Sequence, residues 1–303
     1  MMMMKVMKNF KIINIINNVI IFFFCILYIM TDLNIYPVKN KNTNPYKLKK
    51  PIHPNLPDLE RNFVLGIIAP RASGKTTLYT NLILNPNMFG TENLDGGVYI
   101  FSPTIHQDKT AEHLREAYPN SIYPKYDDNV VKDIITYQNS FSDEDRPKNL
   151  IILDDNVGTK TPYLNALATK SRHSNTNLIF STQAFKHLNK VARSNMTDCI
   201  LGRTYNMKEW ENIYEEVGAL YGNRDYFKKM YDYATNKKYS FLYLKLDSNP
   251  PRAFKNFTEE ITNKFGRNKE VYTENEKKEQ QLMGENDINI NDLPLPEDTI
   301  GEE

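Results

Sequence analysis

The residues with the clearest chemical pattern form a short loop early in the chain. Ala69–Thr76, with the sequence APRASGKT, separates the apolar run Asn62–Ala69 from a helix-forming stretch that begins at Lys75. Phosphate groups bind consecutive backbone N–H groups at the start of a helix, and a glycine such as Gly74 lets the backbone approach them closely. The pattern therefore predicts a phosphate-binding loop (P-loop), with alanine where such loops usually begin with glycine.

We expect this P-loop to bind ATP together with Mg²⁺. Lys75 would reach the β- and γ-phosphates, and the Thr76 hydroxyl would be one ligand of Mg²⁺. The residues predicted to contact the nucleotide are Ala69, Pro70, Arg71, Ala72, Ser73, Gly74, Lys75, Thr76 and Thr77.

Two carboxylates follow a second apolar run. Leu150–Leu153 is followed directly by Asp154 and Asp155, a pattern typical of a Walker B strand. We predict that Asp154 holds Mg²⁺ through water and that Asp155 orients or deprotonates the attacking water. The second carboxylate favours a hydrolase over a protein that only binds nucleotide. A solvated carboxylate in a turn is the alternative for Asp155.

A third strand carries an amide at its end. Asn177–Ser181 reads as a strand, and Thr182 and Gln183 follow it. Gln183 is predicted to hydrogen-bond the γ-phosphate or the lytic water. This prediction assumes an additional-strand P-loop ATPase, in which one strand is inserted between the strands of the two motifs. The alternative is a strand followed by an amide without a catalytic role.

Arginines flank this third strand. Arg172, Arg193 and Arg203 are the candidates for an arginine finger. A guanidinium spreads its donors over several phosphate oxygens in the transition state and can do so across a subunit boundary. The spacing does not choose between them, and a salt bridge remote from phosphate is the alternative for each.

These residues must be positioned by alternating strands and helices. The predicted strands are Asn62–Ala69, Gly97–Ser102, Asn149–Asp154, Asn177–Ser181, Asp198–Leu201 and Tyr239–Leu246. The predicted helices are Lys75–Leu84, Thr110–Ala117, Pro162–Lys170, Met207–Tyr221 and Asp225–Ala234. Near-continuous apolar strands are typical of a sheet covered on both faces. The pattern predicts an α/β fold of the P-loop NTPase type, with a mostly parallel central sheet flanked by helices. The aromatic residues of Tyr205–Tyr239 are expected to pack in helices rather than to stack on bases.

Composition excludes several classes of protein. The 303 residues are 40% apolar and 25% charged, which excludes a disordered or collagen-like chain. With 38 Lys and Arg against 37 Asp and Glu, the net charge is +1, so contacts with nucleic acid have to be local. Cys25 and Cys199 are too few and too distant for a disulfide scaffold or a zinc site. We predict no structural metal.

The ends of the chain differ from its centre, and residues 58–264 are predicted to form the ATPase domain. Ile12–Met30 is free of charged residues, so residues 1–30 are either a membrane anchor through residues 12–30 or translated sequence upstream of a start at Met30. Residues 31–57 are predicted to be an extended basic arm. Residues 265–303 are predicted to be a disordered acidic tail, because Gly284–Glu303 has seven acidic side chains and no basic one.

Four segments in this order resemble a known family. They are the P-loop with Ala69, the strand ending in Asp154 and Asp155, Ser171–Asn175 leading into Leu178–Gln183, and Arg193–Asn195. Over about Asn62–Leu246 they are similar to the poxvirus-type viral DNA-packaging ATPases of the HerA/FtsK division. The resemblance implies a ring-shaped homo-oligomer, double-stranded DNA as substrate and translocation of DNA into a capsid. It further implies a capsid or portal-like partner and a place in the host cytoplasm, the viral factory or the virion.

Two other functions stay open on the sequence. A membrane-tethered ATPase of morphogenesis or secretion would use residues 12–30 as its anchor. A non-catalytic, nucleotide-gated interaction module would bind ATP and turn it over negligibly. A nucleotide kinase is disfavoured, because no arginine-rich lid follows the Walker B strand.

Overall fold

The computed structural model of the chain describes residues 48–155 and 161–265. Within them, nine strands form one sheet. They are β1 (Val64–Ile68), β2 (Gly97–Phe101), β3 (Ile122–Tyr123), β4 (Asn149–Asp154), β5 (Thr176–Thr182), β6 (Asp198–Leu201), β7 (Leu242–Lys245), β8 (Arg252–Lys255) and β9 (Glu259–Glu260). The helices are α1 (Lys75–Leu84), α2 (Glu112–Ala117), α3 (Asp128–Asn139), α4 (Pro162–Lys170), α5 (Lys190–Ser194), α6 (Met207–Glu216) and α7 (Arg224–Ala234).

The sheet order is β3-β2-β4-β5-β1-β6-β7-β8-β9. Neighbouring strands from β3 to β6 are parallel, whereas β7, β8 and β9 pair antiparallel. The predicted mostly parallel sheet is therefore confirmed. Strand β5 lies between β1 and β4, as the additional-strand arrangement requires. The parallel strands end along one border of the sheet, which we call the carboxyl edge.

Both faces of the central strands are covered. Every residue of β1, β4 and β5 is buried. Because successive side chains of a strand point to opposite faces, Val64 and Ile68 pack in one hydrophobic core while Leu65 and Ile67 pack in the other. The first core contains residues of α3 to α7, and the second contains residues of α1 and α2. The described residues thus form a three-layer α/β/α arrangement.

The last predicted strand starts later than expected. Lys237–Ser240 forms a turn, in which Lys237 N donates to Ser240 Oγ at 3.0 Å and Ser240 N donates to Lys237 O at 3.1 Å. Tyr239 has a φ of 66°, which lies outside the β region. Strand β7 therefore begins at Leu242 rather than at Tyr239.

The five predicted helices correspond to α1, α2, α4, α6 and α7 with some differences at their ends, whereas α3 and α5 were not predicted. The predictions Lys75–Leu84 and Pro162–Lys170 agree with α1 and α4 at both ends. The predicted helix Met207–Tyr221 ends at Glu216, after which a short 3-10 turn reaches Tyr221. The predicted start at Thr110 was wrong, because a 3-10 turn capped by Asp108 precedes α2.

Residues 48–57 contact the sheet and its loops. Lys50 N donates to Asn93 Oδ1 at 2.9 Å, and Asn93 Nδ2 donates back to Lys50 O at 2.8 Å. The ammonium of Lys245 donates to the carbonyls of Pro54 and Leu56 at 3.0 and 2.8 Å. This part of the segment predicted as an extended arm is thus held by hydrogen bonds to residues of the sheet and its loops.

The hydrophobic segment 1–30, residues 31–47 of the predicted arm and residues 266–303 of the predicted tail lie outside the described residues. The proposed domain boundaries and the anchor at residues 12–30 stay predictions. In the part of the chain that the structure describes, no helix is long and apolar enough to cross a membrane.

Candidate active site

The P-loop connects the end of β1 to the start of α1 at the carboxyl edge. Its first residue is fixed by a backbone hydrogen bond from Ala69 N to Thr182 O at 3.0 Å. Ala72 and Gly74 have φ values of 60° and 89°, so the backbone turns twice through the left-handed region before the helix begins. This curl, which ends at a helix N-terminus, is the backbone arrangement that binds phosphate.

The side chain of Lys75 folds back over its own loop. Its ammonium donates to Ala69 O at 3.1 Å and to Pro70 O at 3.3 Å. The Ser73 hydroxyl also donates to Pro70 O, at 2.7 Å. The predicted phosphate-binding ammonium is thereby held across the mouth of the loop by two carbonyls.

Asp154 ends β4 as a buried carboxylate, as the sequence predicts. Its Oδ2 accepts hydrogen bonds from Ser102 Oγ at 2.9 Å and from Tyr79 OH at 3.4 Å. Burial raises the pKa of Asp154, and the nearby Asp155 adds to this, whereas the hydroxyls of Ser181 and Ser102 oppose it. A buried carboxylate that is already held by hydroxyl donors has little freedom to move away from the loop.

Asp155 and Gln183 meet at the ends of neighbouring strands. Asp155 N donates to Ser181 O at 2.8 Å, which extends the pairing of β4 with β5 by one residue. A φ of 47° then turns the chain at Asp155. Gln183 Nε2 lies 3.4 Å from Asp155 Oδ2, and the Gln183 side chain is exposed. The carboxylate and the amide are thus placed to contact the same small molecule.

Three residues of this site were not predicted from the sequence: Ser102, Tyr79 and Asp108. Ser102 follows β2, the other neighbour of β4. Tyr79 lies one turn along α1 from Lys75, on its buried face. Burial raises the pKa of Asp108, but hydrogen bonds from Thr110 and Thr76 bring it below its ordinary value. The signal available for Ser102 was a polar residue directly after an apolar strand, at the same edge as Asp154.

The arginine candidates lie on two different edges. Arg172 and Arg193 precede β5 and β6, so both lie at the border opposite the carboxyl edge. The seven residues of β5 span roughly 20 Å at about 3.3 Å per residue. Arg172 is exposed, and Arg193 forms an ion pair with Glu216. The structure therefore does not bring either side chain to the P-loop of its own chain.

Arg203 follows β6 at the carboxyl edge. The residue before it, Gly202, packs so closely on the start of the P-loop that a Cβ there would lie 2.5 Å from Ala69 Cβ. Arg203 Nη2 lies 3.6 Å from Asp232 Oδ1. Of the three arginines, only Arg203 lies on the same edge as the P-loop of its own chain.

The donor set suits Mg²⁺ held jointly with a nucleotide. Within residues 48–155 and 161–265, no group of three or more His, Cys, Asp or Glu side chains could hold a metal ion. Mg²⁺ commonly takes one or two protein oxygens and fills its other positions with phosphate oxygens and water. The Thr76 hydroxyl and the Asp154 carboxylate supply oxygens of that kind.

A match to a family model shows which protein family the chain belongs to. The model described as Poxvirus A32 protein matches residues 56–244, well over half of the chain. The chain belongs to this family. The matched range contains the P-loop, Asp154, Asp155, Gln183 and all three arginines.

Solved structures with partial similarity to this chain are found beside the family match. One is the genome packaging NTPase B204 from Sulfolobus turreted icosahedral virus 2, in complex with AMP, which is 15% identical in sequence with a TM-score of 0.47. The match covers 64% of this chain and 96% of that chain. B204 from Sulfolobus turreted icosahedral virus, described as a DNA-packaging ATPase, is 16% identical, with a TM-score of 0.45, 63% and 96% covered. EssC from Geobacillus thermodenitrificans is 18% identical, with a TM-score of 0.44, 75% and 44% covered. Comparison with curated protein sequences finds no match.

This member of the poxvirus A32 family is a P-loop ATPase. Its described residues provide a phosphate-binding loop and a buried carboxylate at one edge of the sheet. A second carboxylate with an amide lies beside them. The predicted fold and family are confirmed, whereas the roles of the individual site residues stay predictions.

Proposed function

We propose that this A32-family ATPase is a ring-forming motor that translocates viral double-stranded DNA into a capsid. The observation that carries the proposal is the pair formed by Asp155 and Gln183 beside the P-loop, at 3.4 Å. A motor must turn ATP over, and groups that orient water serve turnover rather than binding. Family membership and the resemblance to viral packaging ATPases support DNA as the substrate.

In the proposed mechanism, the P-loop binds the triphosphate with its backbone N–H groups. Lys75 leaves the carbonyls of Ala69 and Pro70 and donates to the β- and γ-phosphates. Thr76 and Asp154 would hold Mg²⁺, which would neutralise charge on the phosphates. Asp155 accepts a proton from the attacking water, and Gln183 donates a hydrogen bond that fixes the water or the γ-phosphate.

The positions of the arginines favour a head-to-tail assembly. Arg172 and Arg193 lie on the edge opposite the P-loop, so the phosphate site that they can reach is that of a neighbouring subunit. Heterologous contacts between identical chains close into rings when the rotation between subunits permits it. We propose Arg172 as the first candidate for the arginine finger, because Arg193 would have to leave Glu216 before it could reach a phosphate.

The proposed substrate is consistent with the charge of the chain. A net charge of +1 provides no strong overall field toward DNA. Binding that depends on phosphate contacts weakens steeply as the salt concentration rises, and it is readily reversible when the contacts are few. A motor that must release and regrip its track fits such local contacts. The proposed partners are DNA, copies of the same chain and a capsid or portal-like component, in the host cytoplasm or viral factory.

Triplex displacement by the full chain tests translocation directly. A third strand is annealed at a series of distances from one end of a long linear duplex, and its release is followed after addition of ATP and Mg²⁺. We expect ATP-dependent release whose delay grows with the distance from the free end, and no release with Asp155→Asn. ATP turnover without triplex release on any duplex would contradict translocation while leaving the ATPase activity intact.

A further inference from the structure

Tyr239 occupies a backbone position that is unfavourable for a bulky side chain. It is the third residue of the turn Lys237–Ser240 and has a φ of 66°. Such positions are normally taken by glycine or asparagine, because a Cβ clashes with the backbone there. Its side chain is nevertheless 61% exposed, so burial of the ring in the core does not offset the strain. Strained residues of this kind concentrate at binding and catalytic sites.

The exposed ring lies against the P-loop. A Cβ built on Gly74 would lie 3.2 Å from Tyr239 Cδ1 and 3.8 Å from Cε1. Gly74 is the residue that caps α1 and immediately precedes Lys75. The aromatic ring is therefore an immediate neighbour of the phosphate-binding backbone. Lys238 Nζ lies 4.9 Å from the centre of the same ring, which adds a positive charge beside it.

The sheet order tells which end of a nucleotide this ring would meet. The carboxylates Asp154 and Asp155 end β4, which lies with β5 on one side of β1. The terminal phosphates belong on that side, because Asp154 would hold Mg²⁺ there and Asp155 would contact the attacking water. Tyr239 precedes β7, which lies with β6 on the other side of β1. The nucleoside end of the nucleotide therefore extends toward the side that carries Tyr239.

From this placement we propose that Tyr239 stacks on the nucleobase of the bound nucleotide. The ring is exposed, adjoins the loop and lies on the side opposite the carboxylates. An aromatic face binds any base, so the contact supplies affinity for the nucleoside without hydrogen-bond readout. The inference rests on the ATPase site and is independent of the proposed DNA translocation.

Comparison of ATP with inorganic triphosphate isolates the contribution of the base. With the full chain and Mg²⁺, we expect Tyr239→Ala to weaken ATP binding about tenfold and to leave binding of inorganic triphosphate unchanged. Tyr239→Phe should bind ATP as the wild type does. Equal losses of affinity for ATP and for inorganic triphosphate would show that the ring only shapes the P-loop. Unchanged affinity for ATP would show that the ring does not contact the base. Lys75→Ala should weaken the binding of both ligands. This variant distinguishes failure of the phosphate site from failure of this inference.

A second substitution separates binding from folding. Tyr239→Gly relieves the left-handed backbone, so we expect its Tm to equal or exceed that of the wild type while its ATP affinity falls as for Tyr239→Ala. Tyr137→Ala, at another exposed tyrosine, on α3, serves as the matched control and should leave ATP affinity unchanged. A Tyr239→Gly protein with a lowered Tm and normal ATP affinity would overturn the proposal.

A spectroscopic readout tests contact with the base directly. The chain has one tryptophan, Trp210, which is buried. Tyr239→Trp adds an exposed indole beside the P-loop, and we expect ATP to quench its fluorescence while inorganic triphosphate does not. Absence of quenching at saturating ATP would contradict stacking.

Discussion

Gln183 Nε2 lies 3.4 Å from Asp155 Oδ2, although 28 residues separate them in the chain. The contact exists because β4 and β5 are parallel neighbours that end at the same edge of the sheet. Each residue follows the last residue of its strand, so the register of the two strands sets the distance. The amide is thereby placed to donate a hydrogen bond to the carboxylate that we propose as the base.

Asp155→Asn tests that assignment. The substitution keeps the size of the side chain and removes its ability to accept a proton, so ATP should still bind while turnover falls by about 100-fold or more. Equilibrium binding of ATP and steady-state phosphate release measure the two quantities. Gln183→Ala should lower turnover by a smaller factor with unchanged ATP affinity. Normal turnover in Asp155→Asn would show that another group serves as the base.

Mixing of variants tests whether Arg172 acts on a neighbouring subunit. Arg172→Ala and Lys75→Ala should each be inactive alone, since one lacks the finger and the other lacks the phosphate ligand. In a mixed oligomer, an intact P-loop can face an intact arginine, so the mixture should regain part of the wild-type turnover. The same mixture made with Arg193→Ala is the comparison. A mixture as inactive as its components would contradict action across the subunit boundary.

Gly202→Ala tests the close packing beneath the P-loop. The added Cβ would lie 2.5 Å from Ala69 Cβ, so the start of the loop must shift. Overpacking of this kind costs about 1–3 kcal/mol, and we expect a lower Tm and weaker ATP binding. Ala69→Gly removes the opposing methyl group, so the double variant should recover both properties. A double variant as impaired as Gly202→Ala would show that the clash lies elsewhere.

Several of these residues could be placed from the sequence and others could not. Strands β1, β4 and β5 were predicted because their unbroken apolar runs identify strands covered on both faces. The position of β5 between the other two followed from the assumed ATPase type. Helix α3 was missed although Val131 and Ile134 are buried at helical spacing, since five of its twelve residues are Asp, Asn or Lys.

The partners of the proposed catalytic residues were harder to predict than the residues themselves. Ser102 reaches Asp154 only because β2 pairs with β4, and no motif marks that pairing. Tyr239 was expected to start a strand, because an aromatic residue before an apolar run favours a strand. The left-handed turn that it adopts instead is closed by hydrogen bonds between Lys237 and Ser240.

The buried carboxylate of Asp198 predicts a pH dependence of stability. It accepts hydrogen bonds from Thr197 Oγ1 at 2.7 Å and from Tyr243 OH at 2.5 Å, yet burial raises its pKa to about 6 from an ordinary value of 3.8. Because the folded state holds this proton more tightly, the stability it contributes is full below pH about 4 and is lost as the pH rises through about 6.

Asp198→Asn removes this titration. Between pH 4 and pH 7, the free energy of unfolding of the wild type should fall relative to that of the variant by about 2 kcal/mol. Urea unfolding at a series of pH values measures the difference. Asp133→Asn, at an exposed position on α3, is the control. Parallel pH profiles for wild type and Asp198→Asn would contradict the raised pKa.

Steady-state ATP hydrolysis by the full chain, with and without long double-stranded DNA, tests the central claim most directly. The reaction contains Mg²⁺, and Lys75→Ala provides the blank because it lacks the ammonium that we propose binds the outer phosphates. We predict turnover that rises several-fold with DNA and is abolished in Lys75→Ala. Turnover by the wild type that is the same with and without DNA would contradict a DNA-coupled motor.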